Sequence, residues 1–353
     1  MEPLVEVANE PEMRIALEAG ARVIGINNRN LHTFEVDMST TGRCAALVPK
    51  ESDVILLALS GVADHADVTA FLEVGAKGVL VGESLMRAPS PAVLARELLA
   101  LPPPATMCKV CGVRDAEAAI TAAMEGADFI GLIFAPSKRQ VSVDEATKIV
   151  RAVREAKPRL TDWSLPRFPQ RTAPTEAKDE ARETRLWLEG WSALLRRASA
   201  QGGPLIVGVF VDASIEEMNA TAEAVGLDLI QLHGQSEGWE VASKLVRPAV
   251  RVVHMDSQLN ADEVCAEMRG GPPVAILLDS KGGGTGKTFD WAIGAEVQQR
   301  TPFILAGGLT PDNVAAAVQQ VRPWCVDVSS GVETDGQKDH AKIRAYIRNA
   351  KAA

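Results

Sequence analysis

One repeated unit constrains this chain more than any other feature. It is a short, almost wholly apolar run that ends in a polar residue or glycine and leads into a helical stretch. From residue 108 onward the unit recurs eight times, with apolar runs at 108–113, 129–134, 205–211, 227–234, 249–255, 274–280, 303–309 and 325–331. Runs this continuously apolar imply burial on both faces, as in a parallel sheet. Helical stretches separate them at 116–125, 143–156, 215–225, 237–246, 261–268, 290–299, 311–321 and 339–351, with Ser142 and Thr310 placed as N-caps. Eight alternating β/α units in succession predict an α/β chain whose main body is a complete (β/α)8 barrel rather than an open sheet.

The first hundred residues carry the same pattern four times, with strands expected at 4–8, 21–29, 53–61 and 78–86. Four units are half of such a barrel, a (β/α)4 fragment that leaves two raw sheet edges. LPPPATM at 101–107 is a proline-rich connector. The expected organisation is therefore a half barrel over 1–100, a linker over 101–106 and a full barrel over 107–353. Residues 157–203 interrupt the second barrel. Their first part is rich in proline and charge, and 182–200 suits a helix with Trp187, Trp191, Leu194 and Leu195 on one side, expected to pack on the outside of the barrel or against the first domain.

Composition narrows the function classes. The net charge is −9 and no long basic block occurs, which argues against nucleic acid and anionic membrane as partners. No apolar run approaches the ~18 residues of a membrane span. The first twenty residues lack the basic-then-apolar order of a secretory signal. Five scattered cysteines suit a reduced, cytoplasmic protein. Cys108 and Cys111 spell C-x-x-C, but on a strand residues three apart face opposite sides. No second such pair or histidine cluster completes a metal site, so no metal is expected. GGGTGKT at 282–288 imitates a nucleotide phosphate loop, yet Lys281 stands where its first glycine belongs. A glycine-rich loop closing over substrate fits that stretch better.

In this fold the active site lies at the C-terminal ends of the strands. There the sequence places Cys111 after the first strand of the full barrel, Arg139 after the second, His233 after the fourth and Asp279 after the sixth. Gly307 and Gly308 follow the seventh, and Asp327, Ser329, Ser330 and Gly331 the eighth. A thiol and a carboxyl facing one mouth can move protons on either side of a substrate carbon. The glycines of the last two strands, with a helix start nearby, offer N–H groups to a phosphate. Each residue also has a plainer reading. Cys111 can be a small buried hydrophobe, Asp279 a turn former, His233 a packing residue, and Lys109 half of a buried charge pair.

KVCGVRD, APSKRQVS, VGVFVD, LIQLHG, ILLDS, LAGGLTPDNV and VDVSSGVETDGQKD resemble, in order, the motifs of phosphoribosylanthranilate isomerase. LVEVAN, VIGINNRNL, LALSG and GVLVGESLMRA resemble the last four strands of indole-3-glycerol-phosphate synthase. The whole looks like the C-terminal part of a fungal multifunctional tryptophan-biosynthesis polypeptide. The isomerase resemblance implies an Amadori rearrangement of a sugar phosphate without metal or organic cofactor. In it Asp279 is the general acid and Cys111 the general base, a thiol expected to be tuned downward with Arg139 nearby. It also implies that Arg139 binds the anthranilate carboxylate, that Asp327 orients a hydroxyl or stabilises the site, and that Gly308, Ser329, Ser330 and Gly331 hold the phosphate; His233 is a substrate-binding candidate. The synthase resemblance implies roles for Glu6, Asn27, Arg29 and Ser60, with phosphate near Gly61, Gly82, Glu83 and Ser84. Leu59 stands where many members have glutamate, and the family's catalytic lysines have no counterpart here. The half barrel is therefore expected to be inactive alone. The competing expectation is a non-catalytic fragment whose half barrel drives association.

Overall fold

The computed structural model of the chain describes residues 1–88, 90–159, 177–234, 239–255, 259–268, 273–280 and 290–353. The glycine-rich stretch at 282–288 and the proline-rich start of the insertion lie outside the described residues. The chain divides into two compact units, Met1–Pro103 and Pro104–Ala353.

The first unit is a four-stranded parallel sheet in sequence order, β1 (Leu4–Val7), β2 (Val23–Asn27), β3 (Ile55–Leu59) and β4 (Gly78–Leu80). Strand alternation sorts its side chains. Val7, Ile24, Ile26, Leu56 and Ala58 face outward and pack under helices through Met13, Ala16, Cys44, Val68 and Phe71. The other face carries Leu4, Leu57, Leu59 and Leu80 around Gly25 and Gly78. Leu4 and Leu80 on that face are 44% and 51% exposed.

The second unit closes. Its strands are β5 (Met107–Cys111), β6 (Phe129–Ile133), β7 (Leu205–Phe210), β8 (Leu229–Leu232), β9 (Ala249–Met255), β10 (Ala275–Ser280), β11 (Ile304–Leu305) and β12 (Cys325–Val328). They pair in parallel around a closed ring, with β12 returning to β5. Outward residues such as Val110, Ile130, Ile206, Ile230, Ile276 and Val326 join helix residues including Ala118, Ile149, Val318 and Tyr346 in one core. Inward residues Met107, Phe129, Leu205, Leu229, Val250, Ala275, Ile304 and Cys325 fill the lower interior, the end where the strands start.

Local chemistry sets the helix starts. Ser142 and Glu145 form a capping box ahead of Val143–Ala156, as the sequence predicts. The cap expected at Thr310 is displaced. The helix begins at Val314 with Asn313 as N-cap, and the Asn313 carboxamide oxygen turns back to accept from the Thr310 N–H. The helix expected over 237–246 shortens to a 3-10 segment, Trp239–Lys244.

The largest departure concerns the insertion. Its helix runs over Ala177–Gly202. It does not lie on the outer helical ring. Trp191, Leu195 and Ala198 join the inward residues of the barrel, while Leu188 packs with the outer core. Trp187 Nε1 donates to the Pro273 carbonyl at 2.8 Å, just ahead of β10. Ser199 donates to Asp128, just ahead of β6. The helix is a floor to the barrel, stoppering the end away from the strand C-termini.

Candidate active site

Period-two alternation determines what each strand delivers to the mouth. On β5, Cys108 and Val110 pack outward, whereas Met107, Lys109 and Cys111 turn inward. The C-x-x-C pair is therefore split between two faces, and all five cysteines are free thiols. Cys111 sits opposite Gly131 of β6. A Cβ on Gly131 would lie 2.6 Å from Cys111 Sγ, so the glycine makes the space the thiol occupies.

Directly beneath, Lys109 Nζ donates to Asp327 Oδ2 at 2.9 Å, across a register that sets the two residues side by side. The lysine is 1% exposed. Burial opposes its charge, but Asp327 and Cys111 beside it raise its pKa, so it stays protonated. Lys109 is thus a buried charge pair, as its inward position implies. Asp327 keeps its other oxygen, Oδ1, buried without a hydrogen-bond partner. An orphaned acceptor of this kind is costly unless a ligand group supplies a donor.

Cys111 corrects one expectation. Its pKa is raised rather than lowered, because burial outweighs the help of Lys109, and Asp327 adds to the rise. Asp279, at the end of β10, is separated from β5 in the ring by β11 and β12. Burial, with the nearby Asp327 charge, pushes its carboxyl up to about 6. Such a group is still partly protonated near neutrality, which suits a proton donor. His254 lies beside it in the β9–β10 register. His233 Nε2 approaches Asp279 Oδ2 only to 3.9 Å. Burial, His254 and Lys109 lower the His233 pKa to about 4, so at neutral pH it is an uncharged ring beside the carboxyl. It stands edge-on to His254, with ring centres 5.0 Å apart, and His254 Nε2 donates to the His233 carbonyl at 3.0 Å.

Arg139 reaches the mouth from the loop after β6. Its stem crosses Gly112, where a Cβ would meet Arg139 Cδ at 2.7 Å and Ser329 Oγ at 3.0 Å. Its guanidinium is already engaged. Nε and Nη2 donate to the two oxygens of Glu333 at 2.7 and 2.8 Å. Lys338 donates to the same carboxylate at 2.9 Å and to the Ser329 carbonyl at 2.8 Å.

The expected phosphate cradle lies where β11 and β12 end. Gly307 and Gly308 take φ of +87° and +63°, a region open mainly to glycine. A Cβ on Gly331 would come within 1.9 Å of the Leu309 carbonyl oxygen, so only glycine lets these two loops meet. Ser329 and Ser330 open a 3-10 turn, and Ser329 Oγ is buried with no hydrogen-bond partner.

Sequence reasoning assigned no role to Gly131, His254, Glu333 or Lys338. His254 had a signal, being the last inward position of AVRVVHM. Glu333 and Lys338 lay inside VETDGQKD, but nothing local reveals that an arginine 194 residues away would close on that glutamate.

The first unit gathers its own candidates. A cavity of about 460 Å3 is lined by Glu6, Asn27, Arg29, Ser60, Gly61, Gly82, Glu83 and Ser84 among others. Asn27 Nδ2 donates to Glu6 at 2.8 Å, Arg29 pairs with Glu83 at 2.6 Å, and Ser84 donates to the Val62 carbonyl. Ser60, at φ +65°, and Gly61, at +84°, turn the chain sharply at the end of β3. Among the described residues no cluster of three or more histidine, cysteine or acidic side chains has metal-site geometry, and no helix is long and apolar enough to cross a membrane.

Comparison with known proteins finds a different family in each unit. The sequence pattern of the family described as N-(5'phosphoribosyl)anthranilate (PRA) isomerase matches residues 188–349, and that of indole-3-glycerol phosphate synthase matches residues 1–98. The chain is 43% identical to a multifunctional tryptophan biosynthesis protein of Phycomyces blakesleeanus, over all of this chain and 48% of that protein. It therefore spans about half the length of this relative. It is 36% identical to the N-(5'-phosphoribosyl)anthranilate isomerase of Roseiflexus sp. (strain RS-1), over 69% of this chain and 97% of that protein. The solved phosphoribosyl anthranilate isomerase of Thermotoga maritima aligns with a TM-score of 0.51 at 31% identity, covering 70% of this chain and 100% of that one. With a bacterial isomerase matched almost end to end, the chain belongs to the N-(5'-phosphoribosyl)anthranilate isomerase family.

Proposed function

We propose that the closed barrel isomerises N-(5-phosphoribosyl)anthranilate to 1-(2-carboxyphenylamino)-1-deoxyribulose 5-phosphate, with Asp279 as general acid and Cys111 as general base. The observation that carries the reading is a buried carboxyl held near pKa 6 at the same barrel mouth as a thiol seated in the gap left by Gly131. Asp279 gives its proton to the furanose ring oxygen as the C1′–O bond breaks. The amine nitrogen lone pair moves in to form a C1′=N Schiff base. The Cys111 thiolate then takes the C2′ proton. The C–H electrons become a C1′=C2′ bond, and the imine electrons return to nitrogen. The resulting enol tautomerises to the C2′ ketone, so hydrogen and oxidation state balance within the substrate.

The remaining residues bind. Asp327 Oδ1, buried and unpartnered, is placed to accept from a substrate hydroxyl, while burial raises the Asp327 pKa and the Lys109 ammonium paired with its other oxygen opposes that rise. His233, neutral, lines the acid side of the mouth. Gly307, Gly308, Ser329, Ser330 and Gly331 receive the 5′-phosphate. Arg139 receives the anthranilate carboxylate. Catalysis needs Asp279 protonated and Cys111 ionised, which is a minority form given the two pKa directions. Turnover by the whole chain, with the ketose product identified by NMR, tests the proposal. Unchanged substrate at enzyme concentrations that saturate a known isomerase would refute it.

A second reading concerns the first unit. Its exposed Leu4 and Leu80 lie on a sheet face that, in the closed barrel, is filled by apolar layers. With β1 and β4 as open edges, this unit is half of a synthase barrel, inactive in synthase chemistry alone and prone to associate through that face. Its candidate residues Glu6, Asn27, Arg29, Ser60, Gly82 and Ser84 form a remnant binding site. Indole-3-glycerol phosphate made by this chain alone would overturn the reading.

A further inference from the structure

The Arg139–Glu333–Lys338 cluster has a geometry that the proton-transfer chemistry does not use. A guanidinium has two edges that can each grip a carboxylate with two parallel N–H donors. Glu333 occupies the Nε–Nη2 edge. Among the described residues Nη1 makes no hydrogen bond, so the Nη1–Nη2 edge remains for a second carboxylate. The charges agree. Arg139 and Lys338 carry two positive charges and Glu333 one negative, leaving one positive charge for an anion at the mouth.

The chain builds this arrangement from a short hairpin. Asp335 and Gly336 both take positive φ, at 51° and 74°, the signature of a tight two-residue turn. The turn pairs β13 (Glu333–Thr334) with β14 (Gln337–Lys338) and sets Glu333 opposite Lys338. Lys338, its side chain 3% exposed, is itself tied to the Ser329 carbonyl at the end of β12. Glu333 is thus fixed from one side by the hairpin and offers both oxygens to Arg139 on the other. Burial opposes its charge, but the hydrogen bonds from Arg139 and Lys338 hold the carboxyl down at about 2, so it is ionised throughout the working range.

We propose that Glu333 is a positioning residue for substrate selection: it clamps one edge of the Arg139 guanidinium so that the other edge faces the carboxylate of the substrate's aromatic amine. Without the clamp, a side chain as long as arginine loses its fixed orientation and must be ordered again by each substrate. The inference rests on the reading of Arg139 as the carboxylate ligand, and the test separates the two. Glu333→Gln keeps the shape but replaces one acceptor oxygen by an NH2 that faces other donors.

The experiment is a double-mutant cycle in the whole chain, reading kcat and KM for phosphoribosylanthranilate. Expected are a KM raised about tenfold or more in Arg139→Ala, a comparable rise in Glu333→Gln with kcat within about threefold, and less than twofold further change in the double variant. An unchanged KM in Arg139→Ala would sink the carboxylate-ligand reading itself. A raised KM in Arg139→Ala with a normal KM in Glu333→Gln, or multiplying effects in the double variant, would overturn the positioning role alone. So would a lower KM in Glu333→Gln, which would mean that charge matters and orientation does not. A purely structural role for Glu333 would reduce kcat through lost active protein and leave KM in place, and that outcome also refutes the proposal.

Discussion

Asp279→Asn should make the closed barrel more stable at neutral pH while removing its activity. The carboxyl's pKa is raised from the ordinary 3.8 to about 6. Across that window the folded chain binds more protons than the unfolded one, so stability falls as pH rises from about 4 through 6 and is level above. About two pKa units at about 1.4 kcal/mol each give roughly 3 kcal/mol of stability lost by the time Asp279 is ionised. Its side chain is only 10% exposed, so solvent screening takes little from this figure. Asparagine does not titrate and escapes the loss. The stability advantage of the variant should therefore grow by up to about 3 kcal/mol between pH 4 and pH 8, or roughly 6–12 °C in Tm for a domain of this size. All six tryptophans lie beyond residue 103, so tryptophan emission on heating reports this unit alone. The same variant should lose at least about 100-fold in kcat. An advantage that is equal at the two pH values, or a variant less stable than the parent at pH 8, would refute a strained, proton-holding carboxyl.

Gly131→Ala would push a methyl to 2.6 Å from Cys111 Sγ and 3.1 Å from Cys111 Cα. Because the backbone also crowds it, a rotamer change cannot relieve the contact, and steady-state rates should show about a 100-fold loss in kcat. Trp191→Ala would open the floor of the barrel, far from the catalytic end. It should cost about 3–5 kcal/mol in denaturant unfolding and leave kcat of the folded fraction nearly unchanged. Leu80→Lys on the bare face of the first unit should shift light-scattering mass toward the monomer without changing isomerase rates.

The architecture was open to reading because each strand of the second unit is a largely apolar run, and eight such runs with helices between them leave few parallel arrangements. Period two alone placed Lys109 and Cys111 inward and Cys108 outward. The first unit's candidates also converge on one cavity. What escaped reading depends on partners distant in sequence. The insertion helix declares an apolar face through Trp187, Trp191, Leu194 and Leu195, but periodicity cannot say which surface receives it, and the barrel floor received it. The start of the helix after Thr310 shifts because Thr310 opens a hydrogen-bonded turn, its N–H donating to Asn313 Oδ1 and its carbonyl accepting from the Val314 N–H, and the helix proper begins only at Val314. The direction of the Cys111 pKa depends on burial, which a strand-end position does not reveal. The engagement of Arg139 by Glu333 is a contact between two loops whose meeting only the closed ring dictates.

The most direct test of the account is kcat/KM for phosphoribosylanthranilate in Cys111→Ala and Asp279→Ala, each confirmed as folded by tryptophan emission. The acid–base account predicts losses of at least about 100-fold in both. A loss of less than about tenfold in both would contradict it.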